Sequence, residues 1–424
     1  MIPPTHLLTA LIVGLSILLM LIRPHNIAEV YWIAAGVFLL IVFRLESSPV
    51  AGRAAFKALD VCLFLIGMML VSELAREHGV FDWLSSVALQ SAKGSCSRLF
   101  ALVYGIGTLV TIFMSNDATA VVLTPAILTA VRKSKVEPLP YLFVCAFIAN
   151  AASFVLPISN PANLVVFHNE MPPLAKWMLS FAVPSVLSIA ATFLALRCIF
   201  RKQLRATIEL EIEDHPLTGD GRLVLWGLAA MVAVLLAASS FGKDLGLPTC
   251  LAALVLTAVL SLKTRSNPLG LAREISWETL ALVAGLFIMV DAMEGIGAMR
   301  LTKEWLAWAQ GLGPVKGTFM TGFAVGIADN LVNNLPLGLI AGSTLLATHA
   351  KGLIADAVLI GVDLGPNLSI TGSLATILWL IALRKEKLNV SFWDFFKVGA
   401  VAMPLALLAA LGGAILMRMV FPNS

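Results

Sequence analysis

The amino-acid sequence predicts an all-α membrane protein: about ten transmembrane helices plus two re-entrant helical hairpins, set in two inverted repeats. Three observations predict it. Of 424 residues, 59% are hydrophobic and only 13% charged, whereas an ordinary soluble domain carries roughly 25% charged residues. Apolar runs long enough to cross ~30 Å of hydrocarbon recur from end to end. The order of these runs, with their polar interruptions, occurs twice.

The expected spans of the first half are 6–22, 27–43, 58–75, 138–157 continuing to about 168, and 177–200. The run Leu7–Ile22 follows Met-Ile-Pro-Pro-Thr-His, without a basic leader or a small-residue cleavage site, and reads as a retained helix. A polar linker, 201–220, carries Glu209, Glu211, Glu213 and Asp214 and is expected in the cytoplasm. The second half supplies 221–240, 247–263, 277–294, 353–383 with an interruption, and 394–418. Segments 98–131 and 316–348 are each broken near the middle by polar residues, so each is a hairpin or a pair of short spans. Amphipathic stretches, 80–92 and 300–311, precede them.

Gly67, Glu73, Gly79 and Asn116 have counterparts 218 residues later in Gly285, Asp291, Gly297 and Asn334. Further on the offset falls to 210, pairing Ser153, Ser159 and Asn163 with Asp363, Ser369 and Ser373. This divides the chain into a first repeat, 1–200 (hairpin 98–131, broken helix at 158–163), and a second, 221–424 (hairpin 316–348, broken helix at 364–373). Five spans per half turn the second copy upside down, an arrangement that recurs in secondary transporters. With the amino terminus outside, 19 of the 29 Lys and Arg residues fall on the cytoplasmic side, as the positive-inside rule favours.

Four polar breaks interrupt apolar helix: Ser115-Asn116-Asp117; Ser159-Asn160-Pro161-Ala162-Asn163; Asn333-Asn334-Leu335-Pro336; and Gly365 to Ser373. Irregular backbone at membrane depth is tolerated only where it is buried in protein or lines a wet cavity. Its free amides and carbonyls, with Asn, Ser and Thr side chains, can replace the water shell of a small polar solute. Candidate binding residues are therefore Asn116, Ser159, Asn160, Asn163, Asn333, Asn334, Asn367, Ser369, Thr371 and Ser373. A carboxylate at this depth is costly unless protonated, paired or hydrated. Asp117 is the leading candidate for proton coupling, with Asp363 and with Asp329, one turn before Asn333. Glu73 and Asp291 lie near span ends and read as packing or interface acids. His168 and His349 read as loop residues.

The five cysteines (Cys62, Cys96, Cys145, Cys198, Cys250) stand singly, without metal-ligand spacing. The +4 net charge is dispersed. No cofactor, resident metal or nucleic-acid partner is expected. Neither HExxH nor GxSxG occurs, which leaves an aspartyl hydrolase built on Asp329 and Asp363 as the remote enzymatic alternative.

Ser115-Asn116-Asp117-Ala118 with Leu123-Thr124-Pro125, Asn333-Asn334-Leu335-Pro336, and Ile360-Gly361-Val362-Asp363-Leu364-Gly365-Pro366 running to Gly372-Ser373-Leu374-Ala375-Thr376-Ile377-Leu378-Trp379 carry a resemblance. Over nearly its whole length the chain resembles the bacterial arsenite permease family, within an ion-transporter superfamily that includes sodium/proton antiporters and dicarboxylate carriers. The resemblance implies export of arsenite and antimonite across the bacterial inner membrane by proton antiport, sometimes with a soluble arsenite-stimulated ATPase. A sodium/proton antiporter is the alternative on the same scaffold. Asn150 departs from a usual acid, Asn367 from a frequent lysine, and Ser-Asn-Pro-Ala-Asn from a usual Ser-Asn-Leu-Val-Asn.

Overall fold

The computed structural model describes residues 3–167, 170–208, 216–265, 267 and 269–421. Glu209, Glu211, Glu213, Asp214 and His168 lie outside the described residues. Helices in the first half are α1 (Pro4–Ile22), α2 (Glu29–Val42), α3 (Ser48–Lys57), α4 (Leu59–Glu77), α5 (Val80–Ala92), α6 (Cys96–Phe113), α7 (Thr124–Lys133), α8 (Leu139–Ala151), α9 (Pro161–Phe167) and α10 (Leu174–Ile199). The second half repeats their order: α11 (Gly219–Ser240), α12 (Gly246–Thr264), α13 (Leu269–Glu274), α14 (Trp277–Gly295), α15 (Arg300–Gly311), α16 (Pro314–Val332), α17 (Asn334–Thr348), α18 (Leu353–Leu364), α19 (Leu374–Lys385) and α20 (Phe392–Val420). Among the described residues the only β feature is an isolated bridge between Ser95 and Thr207.

Among the described residues, six single helices can cross a bilayer by length and composition: α1, α6, α10, α11, α12 and α20. The bent pairs α3–α4 (46°) and α14–α15 (83°) bring the number to eight. The remaining expected spans are the short α2 and the broken pairs α8–α9 and α18–α19. The amphipathic stretches are α5 and α15. The short helices α3 and α13 were not expected; each leads into the third long helix of its half.

Local chemistry starts and stops these helices. Ser95 caps α6 by accepting from the Arg98 amide, and Thr218 caps α11 by accepting from Gly221. Ser391 and Asp394 form a reciprocal capping box at α20. Proline opens α1, α9 and α16 at positions where no amide hydrogen is needed. Pro184 lies inside α10 and Pro404 inside α20. These two long helices pack on each other, and a Cβ at Gly413 would stand 3.2 Å from Pro184.

The halves interlock. Gly67 lets α4 press on α12 of the other half: a Cβ there would stand 2.7 Å from the Thr249 carbonyl. Its counterpart Gly285 lets α14 press on α2, where a Cβ would meet Ile33 Cγ2 at 2.5 Å. Small residues at such crossings allow backbones close together in lipid, where packing rather than hydrophobicity drives association. Segment 98–131 folds as a hairpin. After Met114 the chain turns back through a wide π-helical turn, Ala118–Leu123. Thr119 Oγ1 then lies 2.8 Å from Thr111 Oγ1, and Leu123 comes beside Gly107. α16 and α17 meet at Asn333, which has φ +80°, and line one cleft with α15.

Candidate functional site

Two helix breaks face each other inside the bundle. After α8 the chain loses its helix until a single 3-10 turn, Pro157–Ser159, and α9. After α18 it makes two 3-10 turns, Gly365–Asn367 and Ile370–Gly372, before α19. Asn160 caps α9, its Oδ1 accepting from the Ala162 amide at 3.0 Å. Ser373 caps α19, its Oγ accepting from Thr376 N at 3.1 Å. Helix ends thus correct the sequence pairing in this region. The structural counterpart of Asn160 is Ser373, and that of Asn150 is Asp363, rather than Ser153 opposite Asp363.

Side chains bridge the two breaks. Asn160 Nδ2 donates to Asp363 Oδ1 at 2.7 Å. Asn150 Nδ2 donates to Asn367 Oδ1 at 3.0 Å, and Asn367 Nδ2 donates to the Phe147 carbonyl at 3.0 Å. Asn150 and Asn367 therefore touch as a neutral amide pair. Ser153 lies beside Asp363, its hydroxyl donating to the Asn150 carbonyl. All of these residues are buried.

Several acceptor oxygens in this nest have no partner: both carboxylate oxygens of Asp329, Oδ2 of Asp363, and the amide oxygens of Asn150 and Asn163. Asp329 is fully buried on α16, against the start of the α18–α19 break. Gly365 makes room for it, since a Cβ there would stand 2.9 Å from Asp329 Oδ2. Buried polar groups are otherwise almost always hydrogen-bonded. A cluster of lone acceptors needs a proton, a cation or water to complete it.

A second network joins the α16 end to the α18–α19 break. Asn330 Nδ2 donates to the Gly365 carbonyl at 3.0 Å, and Ser369 Oγ donates to Asn330 Oδ1 at 2.7 Å. Thr371 Oγ1 donates to the Asn330 carbonyl at 3.0 Å, while Asn333 Nδ2 donates to the Thr371 carbonyl at 3.2 Å. Sequence reasoning missed Asn330. Its signal was available, because it lies less than one turn before Asn333, beside Asp329.

Asp117 sits elsewhere. It lines a cavity of about 170 Å³ with Leu65, Met68, Ser72, Pro161 and Leu374. The last two are the first residues of α9 and α19, so the positive ends of both helix dipoles border the cavity. Asn116 Oδ1 accepts from the Asp117 amide at 2.9 Å. Ser159 is committed locally, donating to the Ile112 carbonyl at 3.0 Å, and Asn163 Nδ2 donates to the Ser153 carbonyl at 2.9 Å. Asn334 is buried at the start of α17. Glu73 pairs with Arg76, and Asp291 with Lys57 at 2.7 Å. His349 ends α17 in a left-handed turn.

Residues 4–364 match the sequence profile of the citrate transporter family. An arsenical pump membrane protein of Escherichia coli is 26% identical over 98% of this chain and 99% of its own length. One of Yersinia enterocolitica is 28% identical over 84% of this chain and 85% of its own. The crystal structure of the YdaH transporter of Alcanivorax borkumensis superposes with a TM-score of 0.60 at 15% identity, covering 88% of each chain, which speaks for the fold alone. Apolar helices enough for a multi-pass membrane protein, paired broken helices and the profile over most of the sequence lead to one conclusion: the chain is a membrane transporter, not an enzyme, and belongs to the citrate transporter family.

Proposed function

We propose that this transporter exports arsenite, and antimonite, across the bacterial inner membrane in exchange for protons. The arsenical pump membrane proteins it resembles along nearly their full length support the substrate. The observation that carries the mechanism is the Asn160–Asp363 contact, flanked by the unpartnered oxygens of Asp329 and Asp363. Arsenous acid is a mostly neutral trihydroxide at neutral pH. Its hydroxyls can donate to lone acceptor oxygens and accept from Asn160 and Ser373. No basic counter-charge is needed, in keeping with the neutral Asn150–Asn367 pair.

In this reading 1–200 and 221–424 are oppositely oriented repeats joined by the cytoplasmic linker 201–220. Asp363, with Asp329, holds a proton in one state and releases it in another, and Asp117 serves the cavity at the two helix ends. Each inward proton supplies ~2.3 kcal/mol per 100 mV of membrane potential. The test is twofold. Expression in an arsenite-sensitive host should confer resistance. Proteoliposomes should exchange arsenite against an imposed pH gradient, and Asp363→Asn should abolish the gradient dependence. Gradient-driven exchange at the native rate in Asp117→Asn, Asp329→Asn and Asp363→Asn alike would rule out carboxylate coupling.

The same lone oxygens favour one second reading, a sodium/proton antiporter, since hard cations take oxygen ligands. Sodium-driven proton flux in the absence of arsenite would decide for it.

A further inference from the structure

The Asp117 cavity has an opposed partner. A larger cavity, about 570 Å³, is lined by Lys57 at the end of α3, by Asp60 and Val61 at the start of α4, by Asp291 and Glu294 at the end of α14, and by Leu164 of α9. The Asp117 cavity takes the other ends: Ser72 and Glu73 late in α4, and Thr279 early in α14. The two cavities therefore open toward opposite ends of the same helices. Their floors nearly meet. On α4 the first reaches Val61 and the second Leu65; on α9 the first reaches Leu164 and the second Pro161. Each pair is about one helical turn apart, ~5.4 Å. Val61, Leu65 and Leu164 are buried.

We propose that the transport route runs between α4 and α9, and that Val61, Leu65 and Leu164 form its barrier, a single apolar turn thick. The α4 side is fixed. Gly67 locks it onto the α12 backbone, and the Asp60 carboxylate accepts from the Gly246 amide at 2.8 Å. The α9 side rides on the second hairpin: Gly342 of α17 touches the α9 backbone, where a Cβ would stand 3.0 Å from the Val166 carbonyl carbon. Displacing α9 with α17 against α4 opens one cavity into the other. Alternating access by one bundle moving against another is the general scheme of such carriers. What is new is the place and thickness of the barrier. It rests on the transport reading, and not on which solute or coupling ion is carried.

The test is side-resolved labelling. The five native cysteines are replaced, including Cys62, which lies on the barrier turn. Val61→Cys and Leu65→Cys are then exposed to a membrane-impermeant charged maleimide in right-side-out and inverted vesicles. Each should label from one face only, and from opposite faces. Labelling of both from the same face, or of neither from either face, overturns the barrier. The labelling needs no arsenite and no gradient, so loss of arsenite exchange with intact opposite-face labelling would sink only the substrate assignment. Leu65→Trp in the native chain gives a second readout. Exchange should fall at least about tenfold at an unchanged thermal midpoint, and an unchanged rate would also overturn the proposal.

Discussion

The two broken helices share a plan and differ in charge. In both, a helix ends, the chain makes one or two 3-10 turns, and an Asn or Ser caps the helix that resumes. Yet the second break carries Asp363 where the first carries Asn150, and Asp329 stands beside the second alone. The two breaks therefore share a layout, but one carries the acidic centre and the other offers amides. Asn160 holds the carboxylate directly, while Asn150 pairs with Asn367. Symmetry places the site, and asymmetry gives it one ionisable side.

That contrast can be broken experimentally. The largest effect is expected from Asp363→Leu, which leaves Asn160 without its acceptor; transport should fall to background while membrane insertion persists, measured by arsenite uptake into inverted vesicles. Asn160→Leu should follow. Removing a hydrogen bond to a buried charged group costs about 1.5–3 kcal/mol, so exchange should drop roughly 10- to 150-fold at that energy. Next comes the amide pair. Asn150→Asp and Asn367→Lys should each reduce transport and thermal stability, and the double variant should recover part of both, because the side chains touch. A coupling energy of about 0.5–3 kcal/mol is expected for residues in contact, and strictly additive losses would show that the pair acts independently. Gly342→Ala should cost about 1–3 kcal/mol of stability from overpacking, read as a lower thermal midpoint in detergent. The smallest effect belongs to Arg132→Gln. The Arg132–Glu386 bridge, 2.7 Å long and about half exposed, joins the first hairpin to α19; such pairs contribute up to about 1 kcal/mol, and transport should change less than twofold.

Much of this was legible in the sequence because lipid is an unforgiving solvent. Helices in it must satisfy their own backbone groups, so apolar runs marked the spans and Asn, Ser, Pro and Gly marked the breaks. The amphipathic stretches 80–92 and 300–311 correspond to α5 and α15. Asn160, Asp363, Asn367 and Asp329 were each picked out from such breaks, and the fold brings them together.

The letters could not decide the pairing. Sequence similarity between the halves is faint near the breaks, so an alignment there slipped, and only helix ends showed Asn150 opposite Asp363. Nor could they decide which acid joins the nest. Asp117 reads as strongly as Asp363 in one dimension, yet the first hairpin turns it into a separate cavity at the starts of α9 and α19. Asn330 looked like ordinary helix until the α18–α19 break folded over it. Composition and periodicity thus determined the solvent, the helices and the places where they break, since those depend on neighbours along the chain. Which broken ends meet, and which carboxylate is left without a partner, depends on residues about 200 positions apart packing across interlocked halves, and only the tertiary structure settles that.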